Sequence, residues 1–488
     1  MTASDQRLSG NLSTFKIVTM VVAAAAPMGA VIGIIPIAMA IGTGSATPLV
    51  FVIAAALLLC FAVGYAAMSK RMSASGGFYT YIAKGLGRST AMAAAVIAII
   101  AYLSLTLLLL AGVGNFGNTV TMVLTGRDVP WWVFSAVALA LVAVLGMREI
   151  TIAGNVLAIM LGVEILAIVV LDITIVAHKG LDAFPLEAMS PTGLFAAGSF
   201  GLGIMFAFTT FLGFESAAIY AEESKDPHRT IPRATYAAVV LIAGFYAVTT
   251  WIMVGGIGAE NVQTEASEKL SGLSFWLSAQ YASDLLTNVM YVTVFTSLFA
   301  AMLALHNATS RYIFSIGREG ALLPMWFGVT HPEFDTPARA SLVVTVLTSA
   351  VTLVFALVGA DPYLTMLTIM TGLGTLGIIL LQALAAAAII AYFWRNSRTS
   401  TGVLVGSAIG LVAFVTISVL IIKNFQTLAG SESSWINVLP WCLLVAALIG
   451  AARGVWLRRH RPEVFSRIGT FGDDTGTVRE DAEPSTLQ

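Results

Sequence analysis

Three carboxylates stand where an apolar chain has least reason to keep them: Glu164 and Asp172 in one long apolar run, Glu215 in the next. A charged group at the middle of a membrane helix costs roughly 2.5–3.5 kcal/mol on insertion scales, so each needs a cavity, a partner or a proton. A carboxyl group cut off from water favours its neutral form, which lets it load a proton on one side of a barrier and release it on the other. The bland alternative is a cap or an inter-helix hydrogen bond to a hydroxyl. Asp172, nearer the outer end of its run, is expected to face water. Other reactive groups are scattered. His178, His228, His331 and His460 fall in loops or the tail, and His306 stands alone near the end of a run. Neither a His-Glu-x-x-His pattern nor a glycine-rich phosphate loop occurs. Cys60 and Cys442 lie inside apolar runs with no metal-ligand spacing and no sign of a disulfide. These patterns speak against an enzyme and call for no metal or cofactor.

The elements that hold these acids must be membrane helices. Of 488 residues 58% are hydrophobic and only 10% charged, where a soluble globule carries roughly a quarter. Lipid is the solvent for most of this surface. A net charge of -1 and the absence of a basic stripe exclude a nucleic-acid partner. A spanning helix needs roughly 20 apolar residues. Twelve runs qualify: 16–42, 47–69, 89–118, 130–147, 150–177, 193–220, 232–256, 277–309, 338–358, 363–394, 401–422 and 437–457. The first is too long for a signal-peptide core and reads as a retained span. Twelve spans put both termini on one side, and the basic residues agree. That side holds 21 of the 25, from Arg7, Lys16, Lys70 and Arg71 through Arg148, Arg311 and Arg398 to Arg479; only Arg127, Lys179, Lys269 and Lys423 fall opposite. By the positive-inside rule the termini are cytoplasmic.

Two spans carry interruptions. The first reads AAAAPMGAVIGIIPIAMAIG, with Pro27, Gly29, Gly33 and Pro36 close together; the sixth reads FAFTTFLGFESAAIY, where Thr209 and Thr210 precede Gly213. Proline removes a backbone donor and clashes with the preceding turn, and glycine loosens the helix. Freed backbone groups at membrane depth are tolerated only beside a cavity or buried in protein. A plain kink or a small-residue packing face is the alternative for either span alone. Breaks at matching places in two successive groups of five spans point instead to a transporter binding site.

The loop motifs carry a resemblance. GFESAAIYAEESKDPHRTIPRA (Gly213 to Ala234) resembles the end of the sixth helix and the following loop of amino acid–polyamine–organocation permeases. SASGGFYTYIAKGLG (Ser73 to Gly87) is similar to their loop after the second helix, and GREGALLPMWFGVTHPEFDTPARA (Gly317 to Ala340) to their loop between helices eight and nine. The resemblance covers most of the chain. It implies an all-α integral membrane protein of twelve transmembrane helices with the LeuT-type fold: a 5+5 inverted repeat, discontinuous helices 1 and 6, and two added helices. The chain then divides into a cytoplasmic N-terminus (1–15), a first repeat (16–177), an inverted second repeat (193–394), two further helices (401–457) and a disordered cytoplasmic tail (462–488). Two departures stand out. Many relatives carry Gly-Ser/Thr-Gly-Ile at the first break, where this chain has Pro27-Met28-Gly29-Ala30-Val31-Ile32-Gly33, and Glu319 replaces the aspartate of an Arg-Asp-Gly turn.

A helix broken in mid-membrane exposes amides at one new end and carbonyls at the other. The amide end attracts a carboxylate and the carbonyl end an ammonium, so a zwitterionic amino acid is held without charged side chains. On this chain the amides of Ala30 to Gly33 would face the carboxylate. The carbonyls of Ala26, Pro27 and Met28, with those from Phe208 to Phe211, would take the amine. Gly29, Val31, Ile32 and Gly213 complete the breaks. Met28, Phe208, Phe211 and Phe214 are the expected pocket side chains, with hydroxyls from Thr209, Thr210 or Tyr102. No lysine or arginine lies mid-span, which disfavours acidic cargo and suits a small neutral amino acid.

Glu215 matches the position just past the break where the family keeps an acid, which implies gating or proton coupling. Glu164 lies near a place where some relatives have a lysine standing in for sodium, and is a second coupling candidate. The partners expected are therefore a small amino acid or amine, a coupling proton and the lipid bilayer, in a multi-pass protein of the plasma membrane. The same acids leave open a cationic cargo, a polyamine or an arginine-like molecule. Thr296-Ser297 leaves a sodium site open. A channel is disfavoured because no charged ring or filter-like repeat is present.

Overall fold

In the computed structural model, residues 8, 11–72, 76–147, 150–195, 198–395, 400–430 and 434–470 are described. Arg7, Ser73, Arg148, Arg398, Arg479 and residues 471–488 lie outside them. Helices make up the architecture, and among the described residues the one β contact is an isolated bridge from Leu12 to Ser224. The long helices are α1 (Thr14–Ala24), α2 (Pro27–Gly29, continued by wide turns at Ala30–Ile34 and Ala38–Thr43), α3 (Thr47–Ser69), α4 (Phe78–Gly85), α5 (Arg88–Thr125), α6 (Trp131–Met147) and α7 (Ile150–Lys179). After them come α8 (Phe200–Thr210) with the 3₁₀ segment Phe214–Glu223, then α9 (Pro227–Ile257), α10 (Leu273–Tyr281) and α11 (Asp284–Glu319). The chain closes with α12 (Ala338–Leu357), α13 (Thr368–Arg395), α14 (Thr401–Lys423), α15 (Leu439–His460) and α16 (Pro462–Arg467).

Among the described residues ten stretches are long and apolar enough to cross a bilayer. One of them, Thr14–Ser69, contains the first two expected runs, joined by a hairpin at Gly42–Gly44 where Gly44 takes φ +55°. The fourth expected run is the shorter apolar helix α6. The run expected at 277–309 is not one helix: α10 ends at Tyr281, and Ser283 starts α11 by accepting the Leu286 amide at 3.3 Å. The hydroxyl caps the second helix, which apolar counting cannot register.

α11 is central and packs on α1, α5 and α7; α8 packs on α3, α14 and the turn Ala38–Thr43. Phe200–Glu223 is buried almost throughout, whereas α12 and α15 turn most of their surface outward. Of the tail expected to be disordered, residues 462–470 are ordered, and residues 471–488 lie outside the described residues. Arg461 breaks α15, α16 follows, and Ile468 is fully buried.

Candidate functional site

The first interruption falls at Ala25–Ala26. Ala26 adopts φ 47°, ψ 65°, and Pro27 opens the next helix, where its missing N–H is no loss. This lies a turn before the expected place. The Ala30 amide is already bonded inside the helix, to the Ala26 carbonyl at 2.9 Å, so the free amides belong to the first turn instead. Met28 is one of them, and it donates to Glu164 Oε2 at 3.3 Å. The Ala25 carbonyl accepts from the Tyr246 hydroxyl at 3.3 Å.

The second interruption runs from Phe211 to Gly213. Gly213 sits at φ +109°, and a Cβ there would come within 2.9 Å of the Ala24 Cβ. Two demands therefore meet in that glycine, a left-handed backbone and contact with the first break. Glu215 folds back to accept the Gly213 amide at 3.0 Å and the Tyr102 hydroxyl at 3.4 Å, while Tyr65 donates to the Glu215 carbonyl at 2.7 Å.

Between the breaks lies a cavity of about 320 Å³ that reaches Leu270, Tyr363 and Thr427, at the end of the bundle opposite the termini. Ala26, Gly29, Ala30, Gly33, Thr209 and Thr210 line it. Pro27, Val31, Ile32 and Gly213 do not. Nor do the side chains expected to form the pocket. Phe208 packs edge-on to Phe414, Phe211 lies against Phe51 and Tyr246, and Phe214 is edge-on to Phe61. Met28 is buried off the cavity and Tyr102 is committed to Glu215. Sequence reasoning missed the opposite wall, built by Leu105, Leu109 and Phe116 of α5 and Leu298 of α11, with Tyr363 and Thr371 nearer the opening. Nothing in their apolar surroundings distinguishes them in sequence. Among the described residues, no charged side chain lines the cavity.

The three membrane acids also lie off it. Glu164 sits beside Ser297, close enough for the hydroxyl to interact with its carboxyl group, although neither Oε1 nor Ser297 Oγ makes a well-formed hydrogen bond among the described residues. Asp172 is not facing water. It is buried and accepts from Thr249 Oγ1 at 2.7 Å, because α9 crosses over it.

Toward the termini the molecule is sealed. Arg311 and Glu223, both buried, form a two-pronged ion pair whose second contact, Nη2 to Oε1, is 2.8 Å. Arg318 grips Glu222 with Nη1 3.0 Å from Oε2. Leu12 bridges to the same strip, its N–H bonding the Glu223 carbonyl at 2.9 Å. Tyr79 donates to Glu319. Burial, and then the neighbouring carboxylate, push the Tyr79 phenol well above its ordinary range, so it remains a donor.

Long apolar helices around a small hollow, open at one end and closed by ion pairs at the other, are the parts of a multi-pass membrane transporter. The chain belongs to the amino acid permease family, whose pattern matches residues 12–449, and with it to the amino acid–polyamine–organocation superfamily. It is 26% identical over 363 residues to an uncharacterized transporter of Mycobacterium tuberculosis, covering 71% of this chain and 73% of that one. It is 23% identical over 376 residues to the low-affinity putrescine importer PlaP of Escherichia coli, covering 74% and 76%. Against the branched-chain amino acid permease BcaP of Lactococcus lactis, identity is 24% over 199 residues, or 40% and 42% of the two chains.

Proposed function

We propose that the protein is a secondary active transporter that carries a small neutral amino acid across the plasma membrane by alternating access, coupled to a proton. One observation carries this reading: the cavity lies between two backbone interruptions and, among the described residues, is lined by no charged side chain. In this reading the first-turn amide of Gly29 receives the substrate carboxylate. Carbonyls at the end of α1 and the end of α8 receive the ammonium, and Thr209 and Thr210 offer hydroxyl oxygens. Both hydroxyls already donate within α8, to the Met205 and Ala207 carbonyls, which leaves their lone pairs to accept.

Twelve spans, with residues 16–177 and 193–394 as inverted repeats, 401–457 appended and both termini cytoplasmic, make the open end extracellular. Glu164 carries the proton, because it is fully buried beside the first break and one of its oxygens makes no well-formed hydrogen bond among the described residues. Glu215, fully hydrogen-bonded across the second break, serves the gate. A second reading, a polyamine or cationic amino acid as cargo, is favoured by the similarity to PlaP. Uptake into proteoliposomes tests both: saturable alanine or leucine uptake driven by an inward proton gradient supports the first. Competition by putrescine but not by alanine replaces it with the second. Non-saturating flux that ignores the gradient refutes a coupled carrier.

A further inference from the structure

Residues 462–470 are the feature that transport through the cavity leaves unused. Beyond α15 the chain doubles back across the terminus-bearing face. The Phe465 ring lies 5.7 Å from the Arg88 guanidinium, and Arg88 Nε donates to the Ile468 carbonyl at 3.3 Å. Ile468 is 1% exposed. The Gly469 N–H then donates to Glu319 Oε1 at 2.7 Å, while Tyr79 of α4 takes the other oxygen of the same carboxylate. Gly469 holds φ +71°, and a Cβ there would lie 2.4 Å from the Ala83 Cβ of α4. This strap therefore touches α4, the first turn of α5 and the last residue of α11 together.

We propose that residues 462–470 are an intramolecular ligand of the inner gate, a latch that holds the terminus-bearing face shut by tying the end of α11 to α4. The inference rests on the alternating-access reading above. α11 is the helix whose Arg311 and Arg318 grip Glu223 and Glu222, so opening that face by a shift of α11 moves its end relative to α4 and α5. With the strap seated, such movement pulls Gly469 from Glu319 or lifts Ile468 out of its pocket. With the strap gone, Glu319 Oε1 is left buried without its donor, and a carboxylate in that position gains by reaching water.

Gly469→Val removes both the backbone freedom and the space for the strap. A chain ending at Arg467 removes the contacts without adding bulk. Each is made in protein that also carries Cys60→Ser, Cys442→Ser and a reporter Ala308→Cys, one turn from Arg311 and buried in α11. The protein is reconstituted in nanodiscs and labelled with a membrane-impermeant maleimide. Loss of one hydrogen bond to a charged group predicts labelling about tenfold faster in both variants. Limited proteolysis reports separately that the strap has been released. Release with labelling at the parent rate in both variants overturns the latch. Labelling is read without substrate, so the outcome does not depend on which cargo, if any, the uptake assay finds.

Discussion

Glu164→Gln separates coupling from architecture. Glutamine keeps an oxygen for the Met28 amide and gains an NH₂ that Ser297 Oγ, otherwise unpartnered, can accept. The side chain therefore keeps its place while losing the ability to exchange a proton. A hydrogen bond to a carboxylate contributes about 1.5–3 kcal/mol and a neutral one about 0.5–1.5. At 3.3 Å the Met28 bond belongs at the weak end, so the substitution costs about 1 kcal/mol of folding stability. Coupling is a separate quantity. One proton falling through one pH unit supplies about 1.4 kcal/mol, which sustains about a tenfold concentration ratio. In proteoliposomes with a one-unit inward proton gradient, the native protein should accumulate substrate about tenfold. Glu164→Gln should still exchange labelled for unlabelled substrate but should accumulate none. Glu164→Ala, which strips the Met28 amide of its acceptor, should lose exchange as well. If Glu164→Gln still accumulates about tenfold, the assignment of the proton to this residue is wrong.

Gly213→Ala must hold a left-handed backbone, at about 1–2 kcal/mol, and also displace Ala24. Uptake per folded molecule should fall further than thermal stability does, as measured by transport alongside a melting curve. Arg311→Met leaves Glu223 buried and alone, which costs about 3–5 kcal/mol. The double variant with Glu223→Leu should recover most of the melting temperature, and a single variant as stable as the double would contradict this. Gly112→Ala places a Cβ 3.1 Å from Leu298 Cδ1 and drives that side chain into the cavity. Leucine uptake should then drop about tenfold relative to alanine, the scale set by one methylene in an apolar pocket, as read in paired competition assays.

The interruptions could be read in the sequence because Pro27 and Gly213 act on their own backbone. Proline lacks a donor and glycine permits φ +109° wherever the chain goes next. The lining could not. In a soluble protein apolar periodicity marks the buried face, but lipid tails are as apolar as leucine, so Phe208, Phe211 and Phe214 looked no different from Leu105 or Leu298. The partner of Glu164 is out of reach for another reason. Met28 lies 136 residues away, and only the packing of α7 against α2 brings the pair together. The strap misled by composition: its flanks are polar, and its order comes from a few residues, Phe465, Ile468 and Gly469, finding a place on α4 and α5.

A hollow without charged side chains has an electrical consequence. If the cargo is a zwitterion carried with a proton, as proposed above, the cargo brings no net charge to it and the only charge crossing with each loaded cycle is the proton's. Every turnover is then a unit of inward current. The membrane voltage adds about 2.3 kcal/mol per 100 mV to the driving force, roughly fiftyfold in accumulation. On that proposal, a cell whose external medium is no more acidic than its interior would still accumulate the amino acid, powered by its voltage alone.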